Sequence, residues 1–127
     1  MLRPGTVIVI ADPYLTPPGR QKWQICVCPR RRLFLRINSS PRWAPHYRLL
    51  RTENPWLRRD SFVELRQLLT FERPLIDKAA ANPSNFRGAL SPSVRRALVA
   101  AAQVARTLSP EDKDIIAAML SGTDDGS

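Results

Sequence analysis

The sequence predicts a mainly β chain with C-terminal helices, an α+β protein in which a small, strongly bent barrel precedes a helical hairpin. Three observations predict it. Up to Leu65 the apolar residues fall in short runs rich in Val, Ile, Trp and Phe, separated by Pro-rich connections. After residue 88 the apolar spacing changes to three and four, and a Ser-Pro pair stands at the start of each stripe. At 127 residues the chain has room for one domain, or one domain with an appendage. The expected organisation is a basic barrel over 1–88, a helical hairpin over 89–120 and a disordered, acidic tail over 121–127.

Thr6–Ala11 is read as the first strand. Five of its six residues are apolar, so both faces should be covered. The segment 12–20 carries three prolines and a glycine, which exclude helix and interior strand. Lys22–Cys28 and Leu33–Asn38 form a hairpin by pattern, with Pro29-Arg30-Arg31-Arg32 as its turn. The first of these strands is apolar on both faces and should be central. The second places Leu33, Leu35 and Ile37 on one face and Phe34, Arg36 and Asn38 on the other. His46–Leu50 is a short strand, Thr52–Trp56 a turn, and Ser61–Leu65 a last strand. Residues 66–78 suit a helix that Pro74 interrupts, and 79–85 read as a loop leading to Arg87-Gly88. Ser91-Pro92 then starts a helix whose apolar stripe includes Val94, Leu98 and Ala105, with Arg95, Arg96, Gln103 and Arg106 facing outward. Ser109-Pro110 repeats the device, with Glu111 and Asp112 where the helix dipole favours acids. The sequence leaves open whether these helices cap the barrel or form a dimer contact.

Composition narrows the function. An apolar content of 43% suffices for a core and is too high for a disordered chain. No apolar run approaches the ~18 residues of a membrane span, and the N-terminus lacks a signal-peptide cleavage pattern, so a cytoplasmic protein is expected. Cys26 and Cys28 are expected as small buried residues, not as a disulfide. With one histidine and no helpful acid spacing, no metal site and no cofactor is expected. Walker, dinucleotide, zinc and nucleophile-elbow signatures are absent.

Charge is the sharpest feature. Residues 1–60 hold twelve Lys or Arg against three acids, which equals the whole net charge of +9. A basic half-domain suits nucleic acid or an acidic protein partner. Arg20, Lys22, Arg30, Arg31, Arg32, Arg36, Ser39, Ser40 and Arg42 form a basic and polar fringe around the hairpin, expected to meet a polyanion, RNA foremost. Aromatic residues interleave with these cations. Trp43, among prolines and arginines, is the expected base-stacking residue, whereas Trp23 and Trp56 are placed like core.

Several stretches resemble the PemK/MazF-like toxins of type II toxin–antitoxin systems. Pro4-Gly5 followed by Thr6–Ile10 and Asp12-Pro13 is similar to that family's opening. Lys22–Cys28 stands where the family has Arg-Pro and an apolar strand, and Leu35–Ser39 where it has a strand ending near a threonine. A divergent branch is similar in Asn54–Val63 and in the Gly-x-Leu-Ser-Pro and Arg-Thr-Leu-Ser-Pro segments at 88–92 and 106–110. The resemblance implies an SH3-like β-barrel, a homodimer, and a metal-independent endoribonuclease acting on single-stranded RNA. It also implies a cognate antitoxin whose acidic segment occupies the RNA groove. The family's catalytic arginine maps onto Lys22 and its threonine onto Ser39. Lysine keeps the charge without the bidentate fork, and serine keeps the hydroxyl.

Metal-free RNA cleavage requires a base for the 2′-hydroxyl, stabilisation of the phosphorane-like state and a proton for the 5′-oxygen. Lys22 and Arg20 are candidates to stabilise the phosphate, and Ser39 to orient a phosphate oxygen or the 2′-hydroxyl. His46 is the one side chain whose ordinary pKa suits proton transfer near neutrality. Asp12 either orients these cations or caps the turn at Pro13. The alternative function is a non-catalytic basic barrel that binds nucleic acid or an acidic protein.

Overall fold

The computed structural model describes residues 1–41 and 44–122. Its backbone is mainly β, a curled antiparallel half-barrel with three helices. The strands are β1 (Thr6–Asp12), β2 (Arg20–Cys28), β3 (Leu33–Asn38), β4 (His46–Leu49), β5 (Ser61–Glu64), β6 (Leu69–Thr70) and β7 (Phe86–Ala89). The helices are α1 (Arg73–Ala80), α2 (Pro92–Val104) and α3 (Pro110–Leu120). The spatial order is β4-β5-β3-β2-β1-β7, and β6 pairs off this path with β3.

The hairpin forms where its two apolar runs predict it. Trp23 faces Ile37, Ile25 faces Leu35 and Cys26 faces Phe34. β2 is central, between β1 and β3. Its turn has no glycine, so Arg32 takes the left-handed conformation at φ +58, at a cost of about 1–2 kcal/mol for a residue with a Cβ. Two bonds to one distant residue hold it there. Arg32 Nε donates to the Phe71 carbonyl at 3.0 Å, and Phe71 N donates to the Arg32 carbonyl at 3.3 Å.

Side-chain alternation sends two apolar sets to opposite faces of the sheet. Val7, Ile25, Val27 and Leu35 meet Val94 and Leu98 of α2 and Ile116 and Leu120 of α3. The two C-terminal helices thus cover one sheet face and share its core. Ile8, Ile10, Cys26 and Phe34 meet Leu69, Phe71 and the α1 residues Ile76 and Ala79 on the other. Cys26 and Cys28 are both buried and free. Burial, with Cys28 beside it, pushes the Cys26 thiol up to about 12.

Three expectations are corrected. Pro74 does not interrupt a helix; it lies in the first turn of α1, where its missing N–H has no partner to lose. Ser61–Leu65 is not the last strand. β6 and β7 follow, and β7 joins β1, with Val7 opposite Gly88. Arg95 does not face outward. It is 5% exposed, and its guanidinium donates to the carbonyls of Leu120 at 3.1 Å and Gly122 at 3.1 Å, satisfying the end of α3. Gly5 makes room for it: φ is +94, and a Cβ there would stand 3.0 Å from Arg95 Cδ.

Both predicted helix starts are capped as read. Ser91 accepts from Val94 N and Ser109 from Asp112 N. Among the described residues no helix is long and apolar enough to cross a membrane. The expected tail begins at Ser121, and residues 123–127 lie outside the described residues.

Candidate active site

A pocket of about 250 Å³ opens at the end of the hairpin away from its turn. Lys22, Asn38, Ser39, Arg58 and Arg59, with Gln21 and Ser61, give its polar lining, and Trp23, Ile37 and Leu57 its apolar part. The pairing explains the grouping. Antiparallel β2 and β3 set the start of one beside the end of the other, with Trp23 opposite Ile37. β3 then pairs β5 through Ile37–Val63 and Asn38–Phe62, which draws residues 57–61 alongside.

The segment carrying Arg58 and Arg59 is stapled at both ends. Buried Asn54 donates through Nδ2 to the Leu50 carbonyl at 3.0 Å, and its backbone carbonyl accepts from Leu57 N at 2.9 Å. Asp60 accepts from Arg51 N at 2.8 Å and from Arg48 Nη2 at 3.0 Å. The bond from Arg51 N, with help from Arg48, holds the Asp60 carboxyl below its ordinary pKa. One wall is aromatic. Trp23 stacks on Trp56 with centroids 6.3 Å apart, and the Arg87 guanidinium lies 5.3 Å from the Trp23 ring centre.

Beside Lys22, on the face of Gln24 and Arg36, lies a buried polar network. Asp12 is fully buried; its Oδ1 accepts from Tyr14 N at 2.9 Å, and its Oδ2 accepts from Gln24 Nε2 at 2.9 Å and Arg36 Nε at 2.8 Å. Arg36 Nη1 also reaches Glu64 at 3.2 Å, and Asn38 Nδ2 donates to Glu64 at 3.0 Å. Asp12 therefore both caps the turn and anchors a cation, but the cation is Arg36. Burial opposes the charge on Arg36, while the bond to Asp12 and the field of both carboxylates outweigh it and raise its pKa. Lys22 shifts the other way. Burial lowers its pKa first, then the charges of Arg20 and Arg36, against the opposing pull of Asp12 and Glu64.

The predicted site residues are divided. Lys22 and Ser39 line one pocket. Arg20 is exposed at the edge of β2, opposite Asp12. Arg30 and Arg31 are exposed on the turn, at the far end of the hairpin, roughly 25 Å from Lys22 at about 3.3 Å per strand residue. Arg32 is engaged with Phe71. Arg36 is corrected from a surface cation to a buried one, 8% exposed and paired with two carboxylates. His46 sits on β4 opposite Glu64, edge-on to Phe62 at 5.1 Å, and is not part of the pocket lining. Arg42 and Trp43 lie outside the described residues.

Sequence reading missed Arg58, Arg59 and Asn38 as pocket residues. Asn38 reaches Lys22 through the β2–β3 hairpin itself, whereas Arg58 and Arg59 arrive only through the long-range β3–β5 pairing, which no local pattern encodes. Comparison with known protein families, with curated proteins and with solved structures finds no match for this chain.

Proposed function

We propose that the chain is a toxin-like, metal-independent endoribonuclease that cleaves single-stranded RNA at the Lys22–Ser39 pocket. It is built on an SH3-like barrel with a C-terminal helical hairpin. The observation that carries this reading is that Lys22 and Ser39 line one cavity together with Arg58 and Arg59. Lys22 and Ser39 are the two positions onto which the resemblance maps the catalytic residues of PemK/MazF-like toxins.

Among the described residues Lys22 is the one titrating side chain of that lining besides the arginines. Its neutral amine takes the proton of the RNA 2′-hydroxyl. The 2′-oxygen bonds to phosphorus as the bond from phosphorus to the 5′-oxygen breaks. The Lys22 ammonium returns the proton to the 5′-oxygen, leaving a 2′,3′-cyclic phosphate, a 5′-hydroxyl and a neutral lysine. Arg58 and Arg59 counter the charge on the non-bridging oxygens, and the Ser39 hydroxyl donates to one of them. The partners of this reading are single-stranded RNA, a second copy of the chain in a homodimer, and an antitoxin whose acidic segment fills the same basic pocket.

A second reading has its own observation. Among the described residues the lining includes neither carboxylate nor histidine, which suits a basic barrel that binds nucleic acid or an acidic protein without cleaving it. The deciding experiment incubates the protein with long single-stranded RNA in EDTA, beside Lys22→Ala and Ser39→Ala. Cleavage lost in both variants supports the ribonuclease. Intact RNA retarded in a salt-dependent manner overturns it in favour of the binding barrel.

A further inference from the structure

Asp12 stands diagonal to Lys22 across the β1–β2 pairing, in which Asp12 faces Arg20 and Ile10 faces Lys22; Glu64 accepts from Asn38 at the same end of the hairpin, and both carboxylates are bonded to Arg36. Among the described residues Lys22 itself has no ion pair or side-chain hydrogen bond, although it is half-buried. We propose that Arg36 is a positioning residue that holds Asp12 and Glu64 on itself and so keeps the Lys22 amine unpaired and able to give and take a proton. The ribonuclease reading supplies the reaction this amine serves; the geometry of the arrangement does not depend on it.

The register makes the competition specific. Asp12 is on β1, Lys22 on β2, Arg36 on β3 and Glu64 on β5. Gln24 faces Arg36 directly, and its amide also bonds Asp12. The guanidinium uses separate nitrogens for the two acids, Nε for Asp12 and Nη1 for Glu64. A lysine at position 36 would have to reach both carboxylates from a single nitrogen, where arginine uses two nitrogens of a planar fork. The charges facing Lys22 are Arg20 from its own strand, Arg36 from β3, Asp12 from β1 and Glu64 from β5, with Arg58 and Arg59 across the pocket. Removing Arg36 removes a repelling cation and frees two acids to bond the ammonium. Removing Glu64 does the opposite.

The test reads the amine itself, without RNA. The chain has three lysines, Lys22, Lys78 and Lys113. Acetylation of each by acetic anhydride is followed against pH by peptide mass spectrometry, with exposed Lys78 as the internal standard. The reactivity midpoint of Lys22 is expected below that of Lys78. Arg36→Gln is expected to move it up, and Glu64→Gln to move it further down. A variant that merely unfolds moves Lys22 towards Lys78, so the downward shift in Glu64→Gln separates tuning from damage. A wild-type midpoint at or above that of Lys78, or an upward shift in Glu64→Gln, overturns the proposal. If the midpoints behave as stated and RNA stays intact, the ribonuclease reading fails while the positioning role of Arg36 stands.

Discussion

Arg36 Nε lies 2.8 Å from Asp12 Oδ2, joining two residues 24 positions apart in the interior of the half-barrel. The pair ties β1 to β3 across the central strand β2. Asp12 has no exposed surface, and its other oxygen fixes the turn at Tyr14. Removing one partner of such a pair leaves a buried charge uncompensated, which costs about 3–5 kcal/mol. Asp12→Ala is therefore expected to lower unfolding free energy in urea by about that amount. Arg48→Ala, which breaks the exposed bridge to Asp60, should change it little. Equal effects of the two substitutions would show that the Asp12 site is solvated.

Gly88 lets Trp56 close on the sheet. A Cβ at position 88 would stand 2.3 Å from Trp56 Cγ and 2.6 Å from two further ring atoms. The indole is a rigid plate stacked on Trp23, so it has no flexible end that could yield. Gly88→Ala is expected to cost about 1–3 kcal/mol through overpacking. It should also change the near-ultraviolet circular dichroism of the Trp23–Trp56 pair. An unchanged spectrum together with unchanged stability would mean that the ring moves aside freely.

The parts of the fold written in local sequence were legible. The hairpin shows in two short apolar runs split by Pro29-Arg30-Arg31-Arg32, and both C-terminal helices show in the caps Ser91 and Ser109. β6 has two residues and β7 includes Arg87 and Gly88, so neither offers a period to read. An arginine belongs by default at the surface, which is why the sequence puts Arg36 in the polyanion-facing fringe and Arg95 on the outer face of its helix. Both are buried, since distant acceptors meet them: Asp12 and Glu64 for one, the carbonyls closing α3 for the other. Lys22 and Ser39 are legible as part of the basic and polar fringe of the hairpin, and the family resemblance adds their catalytic roles. Arg58 and Arg59 join them only through the pairing of β5 with β3.

Arg58 and Arg59 offer a measurement of phosphate contact independent of cleavage. Both are exposed and line the pocket. Each phosphate neutralised adds close to one unit to the slope of log affinity against log salt, about 0.7 for single strands. Arg58→Gln and Arg59→Gln should each weaken binding of single-stranded RNA at low salt and reduce the slope by about that increment, uniformly across sequences. Arg30→Gln and Arg31→Gln, at the far end of the hairpin, should leave the binding of a short oligonucleotide unchanged. A slope that falls with the turn arginines instead would move the interface to the other end of the molecule.

The lowered pKa of Lys22 has consequences of fixed sign for both activity and stability. Cleavage that begins with a neutral amine rises with pH, and the midpoint of the rise lies below lysine's ordinary value of 10.5 because burial, Arg20 and Arg36 depress the folded-state value. Single-turnover rates should follow this curve, and Lys22→Arg should bind RNA while losing both the cleavage and its pH dependence. For stability the folded state binds the proton less readily than the unfolded chain, so protonation favours unfolding. That penalty is fully present below the folded-state pKa and disappears as pH rises towards 10.5. Lys22→Met, which keeps the apolar stem and removes the charge, is expected to raise the urea midpoint at neutral pH. The gain should vanish at strongly alkaline pH. A lower midpoint in Lys22→Met at neutral pH would mean that the ammonium is stabilised in the folded protein, and would remove it as a proton acceptor for the 2′-hydroxyl.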